Sequence, residues 1–542
     1  MSSRIFISIM LALLFSLGAY SQNKKTRKEM PKLIVGIVID QMRYEYINRF
    51  WEKYEEGGFK KIIKLGFNCK NTNYNYVPTY TGPGHASIYS GTTPSIHGII
   101  GNNWYDLESK RLVYCTENIK DSTEKDNMSP ANMLTTTITD ELRIFSNFRS
   151  KVIGISLKDR GAILPAGHAG NAAYWIDKKT AKWITSNYYM KELPEWVNNF
   201  NSGQGAQKHL PENWNTLLPI KDYTESAPDK NKYERAYTAG GDVVFPYNLD
   251  ELSKTQGLGL IASTPFGNDY TKDFAIEAIK SENLGKGEQT DFITISFSSP
   301  DYIGHQFGPQ SIEIEDTYLR LDKTLAELIL FIEKHLGKNQ CLFFVTADHG
   351  GANNAAFMAD NKIEGGYFNS EIMIDSMKKM LVDNYGADNL ILNYSNEQLF
   401  LNKKAIAEKK FNITEIKEKI AEIGINTKGV GHVIIADKMD YSSCQEKPLS
   451  LIQRGYNKKR SGDLIISLEP GWMDYEQTGT THGAPYSYDT HVPLFWYGWQ
   501  IKQGQTSESI DITDIAPTIS TMLGIPFPNG CNGHSIENII RK

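Results

Sequence analysis

Residues 33–40 read LIVGIVID, seven positions without a polar side chain that end abruptly on a carboxylate. An apolar run this short, rich in β-branched residues and without polar alternation, suits a parallel strand covered by helices on both faces. Four other runs share the pattern: KVIGISL (151–157), DFITISF (291–297), CLFFVTA (341–347) and VPLFWYG (492–498). Helical periodicity lies between them, most clearly over 313–336, where Leu319, Leu325, Leu328, Ile329 and Ile332 build an apolar stripe. The pattern predicts an α/β fold with a mostly parallel central sheet flanked by helices.

Chemistry-bearing residues stand just past the strands. Asp40 closes the first, Lys158-Asp159-Arg160 the second, Asp301 and His305 the third, and Asp348-His349 the fourth. Ligands of open α/β sheets bind beyond the carboxyl ends of the strands, so separate strands are expected to deliver these groups to one place. Two insertions are expected to cap the sheet, at about 166–258 and about 355–475. The first is rich in Trp and Tyr, including Tyr174, Trp175, Trp183, Tyr188 and Tyr189, which either shape substrate access or pack.

Of the 542 residues, 40% are hydrophobic and 22% charged, which excludes collagen-like, disordered and multi-span membrane classes. A net charge of -5 gives no basic field to hold a nucleic-acid polymer. Residues 1–21 read as a secretory signal: Arg4, an apolar run over 5–17, then small residues around a cut after Ser21. An uncleaved anchor is the other reading of that run. A flexible basic leader is expected at 22–32, then a catalytic domain over 33–542. No later run is apolar enough to span a membrane. The expectation is a periplasmic or secreted monomer without stable membrane insertion. Five cysteines, Cys69, Cys115, Cys341, Cys444 and Cys531, include no C-x-x-C pair, which argues against metal-thiolate sites. Cys341 opens a buried strand and is expected to be a core thiol; the sequence leaves the pairing of the others open.

Asp301 and His305 are four residues apart, which one helical turn places on one face. Asp348-His349 precedes two glycines that free the backbone to turn both side chains into one cavity. Asp40 would be a costly buried carboxylate without a neutralising cation or donors. His482, in the Gly/Pro-punctuated GTTHGAP, is poorly placed for a core histidine. Three carboxylates and three imidazoles without a thiolate suit Zn²⁺, with Mn²⁺ or Co²⁺ as alternatives, and suffice for two ions about 4 Å apart. In VPTYTGPGHASIYSG, Thr81 precedes a short helical pattern whose N-terminal amides would favour anionic oxygens. Its hydroxyl reads as a nucleophile or as a helix cap, with Thr79 as the second candidate nucleophile.

At these residues the chain resembles the alkaline phosphatase superfamily, most closely the zinc-dependent PafA-type bacterial alkaline phosphatases with a threonine nucleophile. Their relatives include the nucleotide pyrophosphatase/phosphodiesterases. The resemblance is carried by IVIDQMR, PTYTGPGHASIYSGTTPSIHGIIGNNW, SLKDRGAILPAGH, SSPDYIGHQFGP, TADHGG, GTTHGAPYSYDTHVPL and DITDIAPTISTMLGIP. It implies an alkaline-phosphatase-like sheet and two Zn²⁺ per chain. Asp301, His305 and His482 would hold one ion, and Asp40, Asp348, His349 and the Thr81 oxygen the other. It further implies that Asn102 contacts a phosphoryl oxygen and that Lys158 and Arg160 grip the dianionic phosphoryl group of small monoesters. His85, His97, His168 and His491 match no ligand position. The two cations are also expected to share one direction at the end of their strand, with Asp159 opposite, and Lys158 to fill the place of any third, magnesium-type site. The implied reaction is phosphomonoester hydrolysis through a phosphothreonine. The alternatives are a phosphodiesterase or nucleotide pyrophosphatase with the same metals, and a catalytically inactive zinc-binding module. A sulfatase is excluded because no C-x-P-x-R is present.

Overall fold

The computed structural model describes residues 30–118, 127–440 and 444–540. The expected export signal and most of the basic leader lie outside the described residues. The main sheet contains β1 (Leu33–Ile39), β2 (Phe67–Asn73), β3 (Val152–Ser156), β4 (Ala172–Ile176), β5 (Trp183–Ile184), β6 (Asp291–Phe297), β7 (Cys341–Thr346), β8 (His491–Gly498) and β9 (Gly504–Thr506). Their spatial order is β9-β2-β8-β7-β1-β6-β3-β4-β5, and Ile510–Asp511 adds a short pairing to β2. The all-apolar β1 lies between β6 and β7, parallel to both. Every β1 residue is buried, as a strand covered on both faces requires.

Helices α1 (Thr81–Ser90), α2 (Asp159–Ala166), α3 (Ser299–Phe307) and α4 (Ile312–Leu336) bear on the site. The stripe expected along α4 is buried in full, from Leu319 to Ile332, and joins the large apolar core around the sheet. Among the described residues, no helix is long and apolar enough to cross a membrane.

β8 departs from the expected direction: it runs antiparallel to β7 and to β2. Its apolar composition reports burial on two faces, which an interior antiparallel strand shares with a parallel one, so direction was not encoded there.

The two expected insertions also differ in character. Residues 355–475 carry their own four-stranded sheet, in the order Ile391–Ser395, Gln398–Leu401, Leu464–Leu468, Val430–Ile435. A separate apolar cluster with Met377, Leu399, Ile416 and Ile420 supports it. Residues 166–258 do not form a unit apart from the sheet at their start, because β4 and β5 extend the main sheet itself. Their aromatic residues divide between the two roles: Trp183 stacks on Phe274 at 4.1 Å and Tyr174 meets the same ring edge-on at 5.4 Å, whereas Trp175 lines a surface pocket beside Lys158 and Arg160. Cys69, Cys115, Cys341, Cys444 and Cys531 are all unbridged, and Cys341 is the buried thiol expected of its strand.

Candidate metal centre

Two groups of potential ligands form at the carboxyl edge of the sheet: Asp40 with Asp348 and His349, and Asp301 with His305 and His482. Within each group the ligand atoms lie within 4.8 Å of one another. Asp40 follows β1, Asp348 and His349 follow β7, and Asp301 and His305 stand one turn apart on α3. His482 belongs to the segment that leads into β8. Because β8 is antiparallel, it starts at the edge where the parallel strands end, and this brings a distant loop to the site.

All three imidazoles are oriented by backbone carbonyls. The Nδ1 atoms of His305, His349 and His482 meet the carbonyls of Thr480, Gly350 and Thr79 at 2.8, 2.9 and 2.7 Å. Donation from Nδ1 leaves each Nε2 with its lone pair toward the carboxylates. His349 Nε2 lies 3.5 Å from Asp40 Oδ1 and from Asp348 Oδ2, and His305 Nε2 lies 3.3 Å from Asp301 Oδ1. The rings of His349 and His482 stack at 3.5 Å, so the two groups adjoin.

The electrostatics ask for positive charge. Burial pushes the Asp348 carboxyl well above the usual carboxylate range, reinforced by Asp40. Burial also lowers His349 to about 4, against the pull of Asp40 and Asp301. His482 is held well below the usual imidazole range, first by burial and then by His349 and His305. Burial alone would raise Asp301, but His305 and Lys158 outweigh it and hold that carboxyl well below its ordinary range. Asp40 Oδ1, Asp348 Oδ2 and His349 Nε2 are buried without a hydrogen-bond partner, an arrangement native interiors avoid unless an ion is to be held. Burial would lower His305, but Asp301 outweighs it and raises that imidazole above its ordinary value, so in that group a bound cation would take the place of the imidazole's proton. Imidazoles, carboxylates and open lone pairs are the donor set of a Zn²⁺-class ion.

Lys158 donates to both Asp40 and Asp301 and so bridges the two groups. It reaches them from the N-cap of α2, not from an alternating strand, since β3 already ends at Ser156. The expectation that Asp159 points away from its neighbours fails for that reason. Asp159 accepts from the Arg160 amide at 2.8 Å and from Tyr114 Oη at 2.6 Å, and Arg160 Nη1 in turn donates to that hydroxyl at 3.0 Å. Arg160 Nη2 lies 3.4 Å from Thr81 Oγ1, and its buried Nε has no partner.

Thr81 is the first residue of α1, and the N-cap is Tyr80 without a side-chain cap bond, so the capping alternative fails. Thr79 instead aims its hydroxyl at the Ala484 carbonyl, 3.4 Å away. Asn102 Oδ1 accepts from the Gly82 amide at 2.8 Å, which leaves its side-chain nitrogen as the donor beside Thr81. α1 can approach because residue 84 is glycine: a Cβ there would lie 2.4 Å from the Asp348 carbonyl oxygen.

Of the histidines expected to match no ligand position, His85 lies at the site itself, its Nδ1 3.5 Å from Asp348 Oδ2, and the other three bond away from the two groups. His85 Nδ1 meets the Thr81 carbonyl and its Nε2 meets Ser296 Oγ, each at 2.9 Å. His97 pairs with Ser87, His168 with the Thr135 carbonyl and His491 with the Lys70 carbonyl. Three supporting residues escaped the sequence reading. Gln41, at φ +58°, donates its backbone N–H to Asp348 Oδ1 at 3.1 Å and its side-chain amide to Asp301 Oδ1 at 2.8 Å. Asp489 accepts from the Gly483 and Ala484 amides at 2.8 and 2.7 Å and holds the loop of His482. Tyr114 braces Arg160. Adjacency to Asp40 was the available signal for Gln41, and the short spacing from Gly483 and Ala484 was the signal for Asp489; Tyr114 stands far from Arg160 in the chain and left none.

Comparison with known proteins agrees with this geometry. Residues 34–492 match the family described as type I phosphodiesterase / nucleotide pyrophosphatase. The chain is 43% identical over 533 residues to alkaline phosphatase PafA of Elizabethkingia meningoseptica, covering 97% of each chain. It is 42% identical to alkaline phosphatase PhoV of Synechococcus elongatus, covering 99% of each. The crystal structure of wild-type PafA superimposes with a TM-score of 0.90 at 43% identity, over 94% of this chain and 99% of that one.

Proposed function

Because the chain belongs to the type I phosphodiesterase / nucleotide pyrophosphatase family and aligns end to end with bacterial alkaline phosphatases, we propose that it is a metal-dependent phosphomonoesterase acting through Thr81. The observation that carries the reading is Arg160: its guanidinium lies 3.4 Å from the Thr81 hydroxyl and its Nε has no protein partner. A half-buried guanidinium beside that hydroxyl, with its Nε still open, suits the oxygens of a dianionic phosphoryl group.

Asp301, His305 and His482 would hold one Zn²⁺, and Asp40, Asp348 and His349, with Thr81 Oγ, a second. When bound, the ions supply Lewis acidity at the attacking and leaving oxygens. The chain's own groups do the rest. At the α1 N-terminus the Gly82 amide is given to Asn102 Oδ1 and residue 83 is proline, so the helix start positions Asn102 beside Thr81 and the α1 macrodipole adds a favourable field for negative charge there. Asn102 and Arg160 orient those oxygens by hydrogen bonds, and Lys158 offsets charge between the carboxylates. Thr81 Oγ attacks phosphorus, the ester bond to the leaving oxygen breaks, and a phosphothreonine forms. Water then attacks this ester, releasing inorganic phosphate and restoring the hydroxyl. Recognition is concentrated on the phosphoryl group, which supports broad acceptance of small monoesters. The secretory reading of residues 1–21 supports action outside the cytoplasm.

The test compares kcat/KM for p-nitrophenyl phosphate and bis-p-nitrophenyl phosphate on protein from Gln22 onward, before and after chelation and Zn²⁺ restoration. A monoester preference that disappears with chelator and returns with zinc is expected. A diester preference would sink the assignment of Lys158 and Arg160, and no turnover of either would leave the zinc-binding module.

A further inference from the structure

A half-open cleft with a cavity volume of about 110 Å³ is lined by Tyr80, Thr481, His482 and Gly483 on one side and by the four-stranded sheet of the 355–475 region on another. Its lining includes the carboxylates of Glu397, Asp474 and Asp489 and no lysine or arginine. Asp489 Oδ2 holds the Gly483 and Ala484 amides while its Oδ1 is buried without a partner, so Glu397 and Asp474 are the acidic groups of the wall that are not tied to the His482 loop. Tyr80, Tyr456 and Tyr488 contribute rings, and Val77, Ile452 and Ile465 an apolar floor. Lys428 covers the ring of Trp472 at 5.5 Å without lining the cleft.

Glu397 is held in place from two sides. It stands at the tip of the hairpin joining Ile391–Ser395 to Gln398–Leu401, where Asn396 and Glu397 both have positive φ, 51° and 55°. Such two-residue turns favour glycine at the second position, so a glutamate there keeps a carboxylate at a conformational cost. The Asn396 side chain fastens the tip to the Asn103 carbonyl, next to Asn102. Tyr80 Oη donates to Glu397 Oε2 at 3.2 Å, and the Tyr80 ring meets His482 edge-on at 5.5 Å. The carboxylate is thus tied, through one tyrosine, to a ligand of the Asp301–His305–His482 group.

Position gives the cleft its role. Arg160 reaches the Thr81 hydroxyl and does not line the cleft, whereas the cleft opens at Tyr80 and His482, with its Asn396 wall fastened to the Asn103 carbonyl. A phosphoryl group bound at Thr81 with its ester oxygen toward the His482 group would send its leaving group into this space. We propose that the cleft is a leaving-group subsite selecting phosphate monoesters of amino alcohols, with Glu397 and Asp474 facing an alkylammonium that the rings of Tyr80 and Tyr488 flank. This rests on the phosphomonoesterase reading. Paired carboxylates and tyrosine faces attract organic cations, and the apolar floor accommodates methylene and methyl groups. Burial raises Glu397 to about 7, which leaves it ionised at the pH of the assay below. Anionic leaving groups meet repulsion in the same place.

The experiment uses the zinc-loaded protein at pH 8.5 and measures kcat/KM for choline phosphate, its neutral isostere 3,3-dimethylbutyl phosphate, phosphoglycolate and p-nitrophenyl phosphate. The wild type is expected to prefer choline phosphate over the isostere by roughly tenfold or more and to disfavour phosphoglycolate. Glu397→Gln and the exposed Asp474→Asn should each lower the choline-to-isostere ratio severalfold. Comparing that ratio between variant and wild type cancels the unequal reactivity of the two alcohols. A ratio unchanged in both variants, or p-nitrophenyl phosphate turnover without any cation preference, overturns the subsite alone. Loss of turnover on all four esters overturns the phosphomonoesterase reading and this proposal with it.

Discussion

Thr81 starts α1 without capping it, so its hydroxyl is not spent on a backbone amide and faces Arg160 instead. Thr81→Ala should lower kcat/KM for p-nitrophenyl phosphate by roughly 10³-fold or more, while elemental analysis still finds the wild-type zinc content. Zinc loss equal to the activity loss would make Thr81 a structural ligand only. Lys158 and Arg160 act differently from each other: Lys158 links Asp40 to Asp301, and Arg160 is braced by Tyr114 and reaches toward the Thr81 hydroxyl. Replacing both by alanine should reduce monoester kcat/KM by about 10²-fold or more and diester kcat/KM much less, measured at matched zinc occupancy. Equal losses on the two esters would refute a role specific to the dianionic phosphoryl group.

Contact between α1 and the end of β7 decides whether Thr81 and the Asp348–His349 pair share a site. Gly84 permits that contact, because an added Cβ would meet backbone and not a flexible side-chain tip. Gly84→Ala is expected to destabilise the fold by about 1–3 kcal/mol and to lower kcat more than the stability change alone explains. Urea unfolding together with steady-state kinetics would check this; wild-type kcat in the folded variant would show that the helix tolerates the shift. Much of this level was legible. The Asp301/His305 spacing predicts a shared helix face, and α3 provides it. The Lys158-Asp159-Arg160 alternation misled because β3 ends at Ser156, and residues at a helix N-terminus do not alternate in direction.

Across the whole molecule, acidic groups away from the metal site set a pH dependence of folding. Burial raises Glu313 to about 8 and Glu234 to about 11, the latter also through repulsion from Glu313 and Asp229. Oε2 of each is buried without a partner. In the unfolded chain both return to the ordinary glutamate value of 4.5, so between pH 5 and 8 the folded chain binds more protons than the unfolded one. Stability from this source is therefore fully present on the acid side and is lost as pH rises through that window. Zinc-free protein should melt at progressively lower temperature from pH 5 to 8, and Glu313→Gln should flatten the slope. A variant slope equal to that of the wild type would remove Glu313 as the cause.

Sequence by itself determined the local facts: β1, β6 and β7 from their apolar runs, the α4 stripe, and the six candidate ligands from their places just past strand ends and in one Gly/Pro-rich loop. These depend on burial and spacing, which residues a few positions apart express in their own side chains. Tertiary structure decided strand direction and what lies opposite what. The apolar run of β8 is compatible with either direction, yet only the antiparallel one carries His482 to the edge where Asp301 and His305 wait. In the same way Tyr114 acts on Arg160, and the Glu397 tip on Tyr80. Such contacts are fixed by the packing of segments far apart in the chain, and no periodicity in either segment records its partner.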